Sequence, residues 1–345
     1  MTEDLKGLLS RREFNGLCAA SLSLSLTGAS AMIDVVTGAL AQAAGIGAAS
    51  AIVGPGIKFP DGTIVSALGQ GSWHLAQGRH PETDEEEALR TGLSLGMSLI
   101  DTAEIYGDGR SEELISHVIA GQRDRVFLVS KVMPDHTKGD GITRACEATL
   151  ARLGTDLLDL YLLHWRSRDT DLSGVVAAFE SLRERGKIRA WGVSNFKISD
   201  MEELFDVPDG HRCATNQILY NLANRRFELD LLPWCEQHSM PVMAYSPLGG
   251  SALVRDATLA RIAAEHDCSA TAIALAWAIS AGNIIAIPES GSKTHVKENA
   301  VALSLTLTPQ ELQTLDAAYP VGSGDVLRSL LDRSKRWVRS FGNAL

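Results

Sequence analysis

The chain is 345 residues long, 45% hydrophobic and 21% charged, with a formal net charge of −10. That length and composition allow a full buried core and exclude a disordered or fibrous chain. The acidic balance, without any stripe of Lys and Arg interleaved with aromatics, argues against nucleic acid or an anionic membrane surface as partner.

In chain order, the first segment stands outside the fold. "SRREFNG" (residues 10–16) pairs Arg11 with Arg12 before Phe14; a weakly apolar Ala/Ser/Leu-rich run follows from Leu17 to Ile33, with small-residue sites at 39–41 and 41–43. Residues 1–43 are similar to a twin-arginine export signal, which predicts a periplasmic protein; the alternative is a disordered leader on a cytoplasmic one. Asp34 and many Ser, Thr and Gly residues leave no run of about 20 apolar positions, so no stable membrane association is expected. The leader's charges nearly cancel, so the acidity belongs to residues 44–345.

"FPDGTI" (59–64), with Asp61-Gly62 between apolar flanks, predicts a hairpin. Short β-branched runs then alternate with amphipathic helices. "ALGQGSW" (67–73) precedes a helix opening with Thr83 and Glu86 at capping-box spacing. "SLID" (98–101) precedes a helix from Ser111 to Ala120 with Leu114, Ile115, Val118 and Ile119 on one face, and "VFLVSK" (126–131) follows. "DLYLLHW" (159–165), "IRAWGVSN" (188–195), "ATNQI" (214–218), "PVMAYSP" (241–247) and "IIAIPE" (284–289) bring the strands to eight.

Strands alternating with helices imply parallel pairing, and eight such units in one domain of about 300 residues predict an α/β fold, a closed (β/α)8 TIM barrel with the hairpin at its bottom. Neither GxGxxG after a strand nor GxxxxGK[ST] occurs, which removes the usual glycine-rich nucleotide routes.

In such barrels the active site lies at the carboxyl ends of the strands. Here those ends carry Asp101, Lys131, His164, Ser194 with Asn195, Gln217 and Ser246. Singly, Asp101 and Lys131 could be a buried ion pair and His164 a core histidine. Gathered at one rim, they would be costly to bury without mutual pairing or a ligand. Tyr106, in the loop after the second strand, completes a set with definite chemistry. A nearby ammonium, Lys131, is expected to lower the phenol's pKa, with Asp101 holding the lysine and His164 orienting a carbonyl oxygen.

Asp101, Tyr106, Lys131 and His164, in "DTAEIYG", "VSK" and "LLHW", resemble the catalytic tetrad of the aldo-keto reductases, and the resemblance runs from about Phe59 to Tyr319. "GKIRAWGVSNF", "CATNQILYN", "DLLPWC" and "MPVMAYSPLG" resemble bacterial members that reduce methylglyoxal and similar small aldehydes. The resemblance implies an NADP(H) cofactor across the rim and a small carbonyl substrate. Ser194, Asn195 and Gln217 would hold the carboxamide, Tyr245 would stack on the nicotinamide, and Ser246 and Leu248 would line the pyrophosphate. Ser290, His295, Glu298 and Asn299 would meet the adenosine end. Glu289 and His295 stand where members preferring the phosphorylated cofactor carry Lys and Arg, which implies weaker discrimination and allows NAD(H) or dual use; Lys293 and Lys297 are candidate compensating cations.

Trp73 and Trp165 are either substrate walls or rim packing. The segment 321–345 is either a cover over the mouth or a surface helix. Cys146 reads as core filler, and no cysteine spacing supports a metal site. A monomeric reductase is the leading expectation, against a nicotinamide-binding sensor or accessory subunit on the same barrel, or a barrel hydrolase or lyase.

Overall fold

The computed structural model describes residues 54–250, 253 and 255–322. The predicted leader and the tail beyond residue 322 lie outside them. The hairpin forms from β1 (Gly56–Lys58) and β2 (Ile64–Ser66), antiparallel, its turn closed by Phe59 and Thr63.

Eight parallel strands follow: β3 (Gln70–Gly71), β4 (Leu99–Asp101), β5 (Phe127–Val132), β6 (Leu158–Leu163), β7 (Ile188–Ser194), β8 (Asn216–Leu219), β9 (Val242–Tyr245) and β10 (Ile284–Ile287), each paired with its sequence neighbour. The first and last meet through parallel bridges, Leu68 with Ala286 and Gly71 with Glu289, which close the (β/α)8 barrel. All eight fall where the apolar runs predict them. Covered by helices outside and side chains inside, β6 is buried at all six positions, which is why its sequence is nearly continuous in apolar residues.

Helices α1 (Glu82–Ser94), α2 (Arg110–Ile119) and α3 (Gly141–Leu153) follow β3, β4 and β5. On α2, Leu114, Ile115, Val118 and Ile119 are buried, and on α3 Cys146 is buried among core residues. The capping box predicted from Thr83 and Glu86 does not form. With Pro81 at the cap, the helix starts one residue before Thr83, and Glu86 turns outward to Arg90 at 2.8 Å and His117 at 3.0 Å. No described helix is long and apolar enough to cross a membrane.

Candidate active site

Asp101 ends β4, Lys131 lies near the end of β5, and Tyr106 sits five residues beyond Asp101, where Gly107 and Asp108 turn the chain through positive φ. The strand ends converge because the pairing register sets Asp101 beside Val129 and Lys131 beside Leu162 on the same rim. Lys131 Nζ, wholly buried, donates to Asp101 Oδ2 at 2.7 Å, to the Thr102 carbonyl at 2.7 Å and to Tyr106 OH at 3.2 Å. The His164 ring meets Tyr106 edge-on, with centroids 5.7 Å apart.

Burial pushes the Asp101 carboxyl up and the Lys131 ammonium down, and their contact offsets both shifts. The geometry uses every proton of the ammonium, which is what a buried pair of this kind requires. Burial also raises the Tyr106 phenol well above its ordinary value, with the negative charges of Asp101 and Glu289 adding to it. This corrects the expectation that Lys131 lowers it. Loss of solvent outweighs an ammonium whose two shorter bonds go to Asp101 and Thr102. His164 is pushed well below its ordinary value, first by burial and then by the charge of Lys131, so the imidazole is neutral; its Nδ1 has no partner among the described residues.

On the opposite arc, Asn195 adopts φ 63° and links three neighbours: its Nδ2 donates to the His164 carbonyl at 3.2 Å and to Ser194 Oγ at 3.0 Å, while Tyr245 OH donates to its Oδ1 at 2.8 Å. Left-handed backbone at a non-glycine residue is uncommon and gathers at functional sites. Ser246, at φ 48°, is another instance, as is Asp108 beside Tyr106. Gln217 donates from Nε2 to Asp101 Oδ1 at 2.7 Å, and its Oε1 accepts no hydrogen bond among the described residues. The rim thus joins a phenol buried in its neutral form to a row of amide and hydroxyl groups beside an aromatic ring.

The aldo/keto reductase family profile matches residues 67–320, most of the chain. This chain belongs to the aldo/keto reductase family. It is an oxidoreductase. Methylglyoxal reductase YeaE of Escherichia coli K12 is 47% identical over 273 residues, covering 78% of this chain and 96% of its own. An aldo/keto reductase of Klebsiella pneumoniae, solved with NADP and acetate, superposes with a TM-score of 0.75 at 45% identity, over 79% of this chain and 97% of its own. A second Klebsiella pneumoniae structure, with NADPH, gives a TM-score of 0.76 at 44% identity, again over 79% of this chain and 97% of its own.

The positions expected at the adenosine end of this reductase follow β10. Ser290 Oγ accepts from Ser292 N at 3.1 Å, just before helix α9 (Lys293–Ala300). His295 is exposed, Glu298 half-buried and Asn299 buried within that helix. Helices α4 to α8 are Leu172–Glu184, Ile198–Phe205, Leu231–Gln237, Ala257–Glu265 and Ala270–Ile279; α9 is Lys293–Ala300, and α10 is Pro309–Ala318. Lys293, one candidate compensating cation, pairs with Glu87 of α1. Glu289 turns both carboxylate oxygens to His74, at 2.9 Å from its backbone N and 3.0 Å from Nδ1. Leu248 packs against the core, Trp165 lies 4.9 Å from the His164 ring, and Trp73 stacks on His74 at 4.4 Å.

Sequence reasoning missed the support beneath the tetrad. Ser111 Oγ donates to Ser72 Oγ at 2.8 Å, Ser72 Oγ donates to the Asp101 carbonyl at 2.9 Å, and Thr102 Oγ1 lies 3.2 Å from Ser111 Oγ. Ser72 and Thr102 follow strands and Ser111 sits in the first turn of α2, where single hydroxyls carry no periodic signal, so nothing local distinguishes these residues.

Proposed function

We propose that this reductase converts aldehydes and ketones, small carbonyls such as methylglyoxal among them, to alcohols at the expense of NADPH. The observation that carries the reading is Tyr106 OH at 3.2 Å from Lys131 Nζ, itself fixed by Asp101 at 2.7 Å, on the catalytic rim of a barrel. The names of the similar proteins support the cofactor and substrate class.

The residues present fit a nicotinamide cofactor: the free Oε1 of Gln217 suits a carboxamide N–H, and Tyr245 offers an aromatic face beside it. Bound there, the cofactor would supply hydride to the carbonyl carbon. Ser194, Asn195 and Gln217 would hold its carboxamide, Ser246 and Leu248 its pyrophosphate, and Ser290, His295, Glu298 and Asn299 its adenosine end. Tyr106, neutral because it is buried, gives its proton to the substrate oxygen as negative charge develops there. Lys131 stabilises the phenolate left behind, Asp101 keeps that ammonium in place, and neutral His164 donates to the same oxygen. Trp73 and Trp165 wall the approach. NADPH consumption with methylglyoxal and a panel of small aldehydes, lost in Tyr106→Phe, is the test. No turnover of any of them by the native protein overturns the reading.

Glu289 and His295 replace cations at the adenosine end, so discrimination between NADPH and NADH is weaker than a cationic pair would give. A strong and exclusive preference for NADPH in steady-state kinetics would refute this. The Arg11-Arg12 leader supports export of a monomer folded around its nucleotide. Replacing both arginines by lysine should hold the protein in the cytoplasm, and unchanged fractionation would count against export.

A further inference from the structure

The loop between β3 and α1, residues 72–81, crosses the seam where the first and last barrel strands meet. Glu289, two residues past β10, spends both carboxylate oxygens on His74, a residue 215 positions away. A second carboxylate holds the same loop: Glu85 Oε2 accepts from Ala76 N at 2.6 Å, where Ala76 adopts φ 58°. Immediately before these two anchored residues stands Trp73, 40% exposed, its ring stacked on His74 at 26° and 4.4 Å. Its carbonyl accepts from Gln77 Nε2 at 2.5 Å, and Gln77 Cγ comes within 3.1 Å of where a Cβ on Gly107 would lie, next to Tyr106. The loop therefore touches the turn that carries Tyr106 at one edge and is tied to the end of β10 at the other.

We propose that Glu289, acting through His74, is a positioning residue that fixes Trp73 as a rigid wall of the mouth and so sets the enzyme's selectivity for small carbonyls over bulky aromatic aldehydes. The inference rests on the reductase reading for its substrates, not for its geometry. An exposed indole on a surface loop has many orientations. Here the imidazole beneath it is held by a charge-assisted bond and a backbone bond to one carboxylate, which removes most of that freedom. A wall so placed contributes to substrate binding without touching the transferred proton, so its loss appears in KM rather than in kcat.

The test compares His74→Ala, Glu289→Ala, the double variant and Glu289→Gln in the full chain. Glutamine keeps an acceptor for the His74 backbone and a polar end for its ring. Expected are an increase of about five- to tenfold in KM for methylglyoxal in each alanine variant, kcat within about twofold in His74→Ala, and a double variant no worse than either single one. The preference for methylglyoxal over benzaldehyde should narrow, and Glu289→Gln should restore most of it. NADPH affinity should stay unchanged in His74→Ala. Independently of turnover, acrylamide quenching of the Trp73 fluorescence, isolated by difference from Trp73→Phe, should increase when the strap is cut. Unchanged quenching in both alanine variants, or additive effects in the double variant, overturns the proposal. A native protein that reduces no carbonyl overturns the reductase reading instead, and the quenching comparison still decides the strap.

Discussion

Gln217 donates from Nε2 to Asp101 Oδ1 at 2.7 Å, across 116 residues of chain. With Lys131 on Oδ2, both oxygens of a buried carboxylate are satisfied by side chains. The residue expected to hold a nicotinamide amide therefore also orients the acid of the tetrad. Gln217→Leu should weaken NADPH binding and leave Asp101 with an empty lone pair, lowering kcat/KM by about tenfold or more. Steady-state kinetics together with NADPH titration check both effects.

Because burial raises the Tyr106 phenol above its ordinary value near 10, the proton stays on through neutral pH. A group that must be protonated to act supports activity below its pKa and loses it above. Reduction should thus be flat in kcat/KM from about pH 6 to 9 and fall only above about pH 10, whereas alcohol oxidation, which needs the phenolate, should rise across the same range. The pH–rate profiles in the two directions check this, and an acid limb near neutrality in reduction would assign the proton elsewhere.

Lys131→Met strands Asp101 in the interior without its cation. The expected cost in stability is about 3–5 kcal/mol, with the double variant Asp101→Asn, Lys131→Met more stable than the single one because no lone charge remains buried. Urea denaturation of the three proteins measures the ordering. Both variants should lack reductase activity.

Cys146, Cys213 and Cys235 are buried, and burial pushes each thiol up to about 12. The thiolate is the reactive form, so these three should resist alkylation at neutral pH until the protein unfolds. Cys268, half-buried, should react first among the four. Timed iodoacetamide labelling with peptide mass spectrometry checks the order.

Much of the rim was legible before any coordinates. An Asp, a Lys and a His at the ends of runs otherwise fit for burial are conspicuous because each would be costly alone, and that local conflict pointed to the site. The tyrosine was legible through the motif around it. The direction of its pKa shift was not, since burial is a property of everything packed around Tyr106 and not of Lys131 alone. Thr83 and Glu86 had the spacing of a cap, yet Pro81 set the helix start and Glu86 found Arg90 and His117 instead.

By itself the sequence determined the order of strands and helices, the barrel they make and the polar groups its rim would carry, because hydrophobic periodicity and strand-end composition act over a few residues. Only the tertiary structure decided that Glu289 holds His74, that Gln217 holds Asp101, and that Ser111, Ser72 and Thr102 brace the acid from behind. The first two contacts exist only once eight strands close on one another: closure brings residues a hundred or more positions apart within 3 Å, and removes the water that would otherwise set their charges.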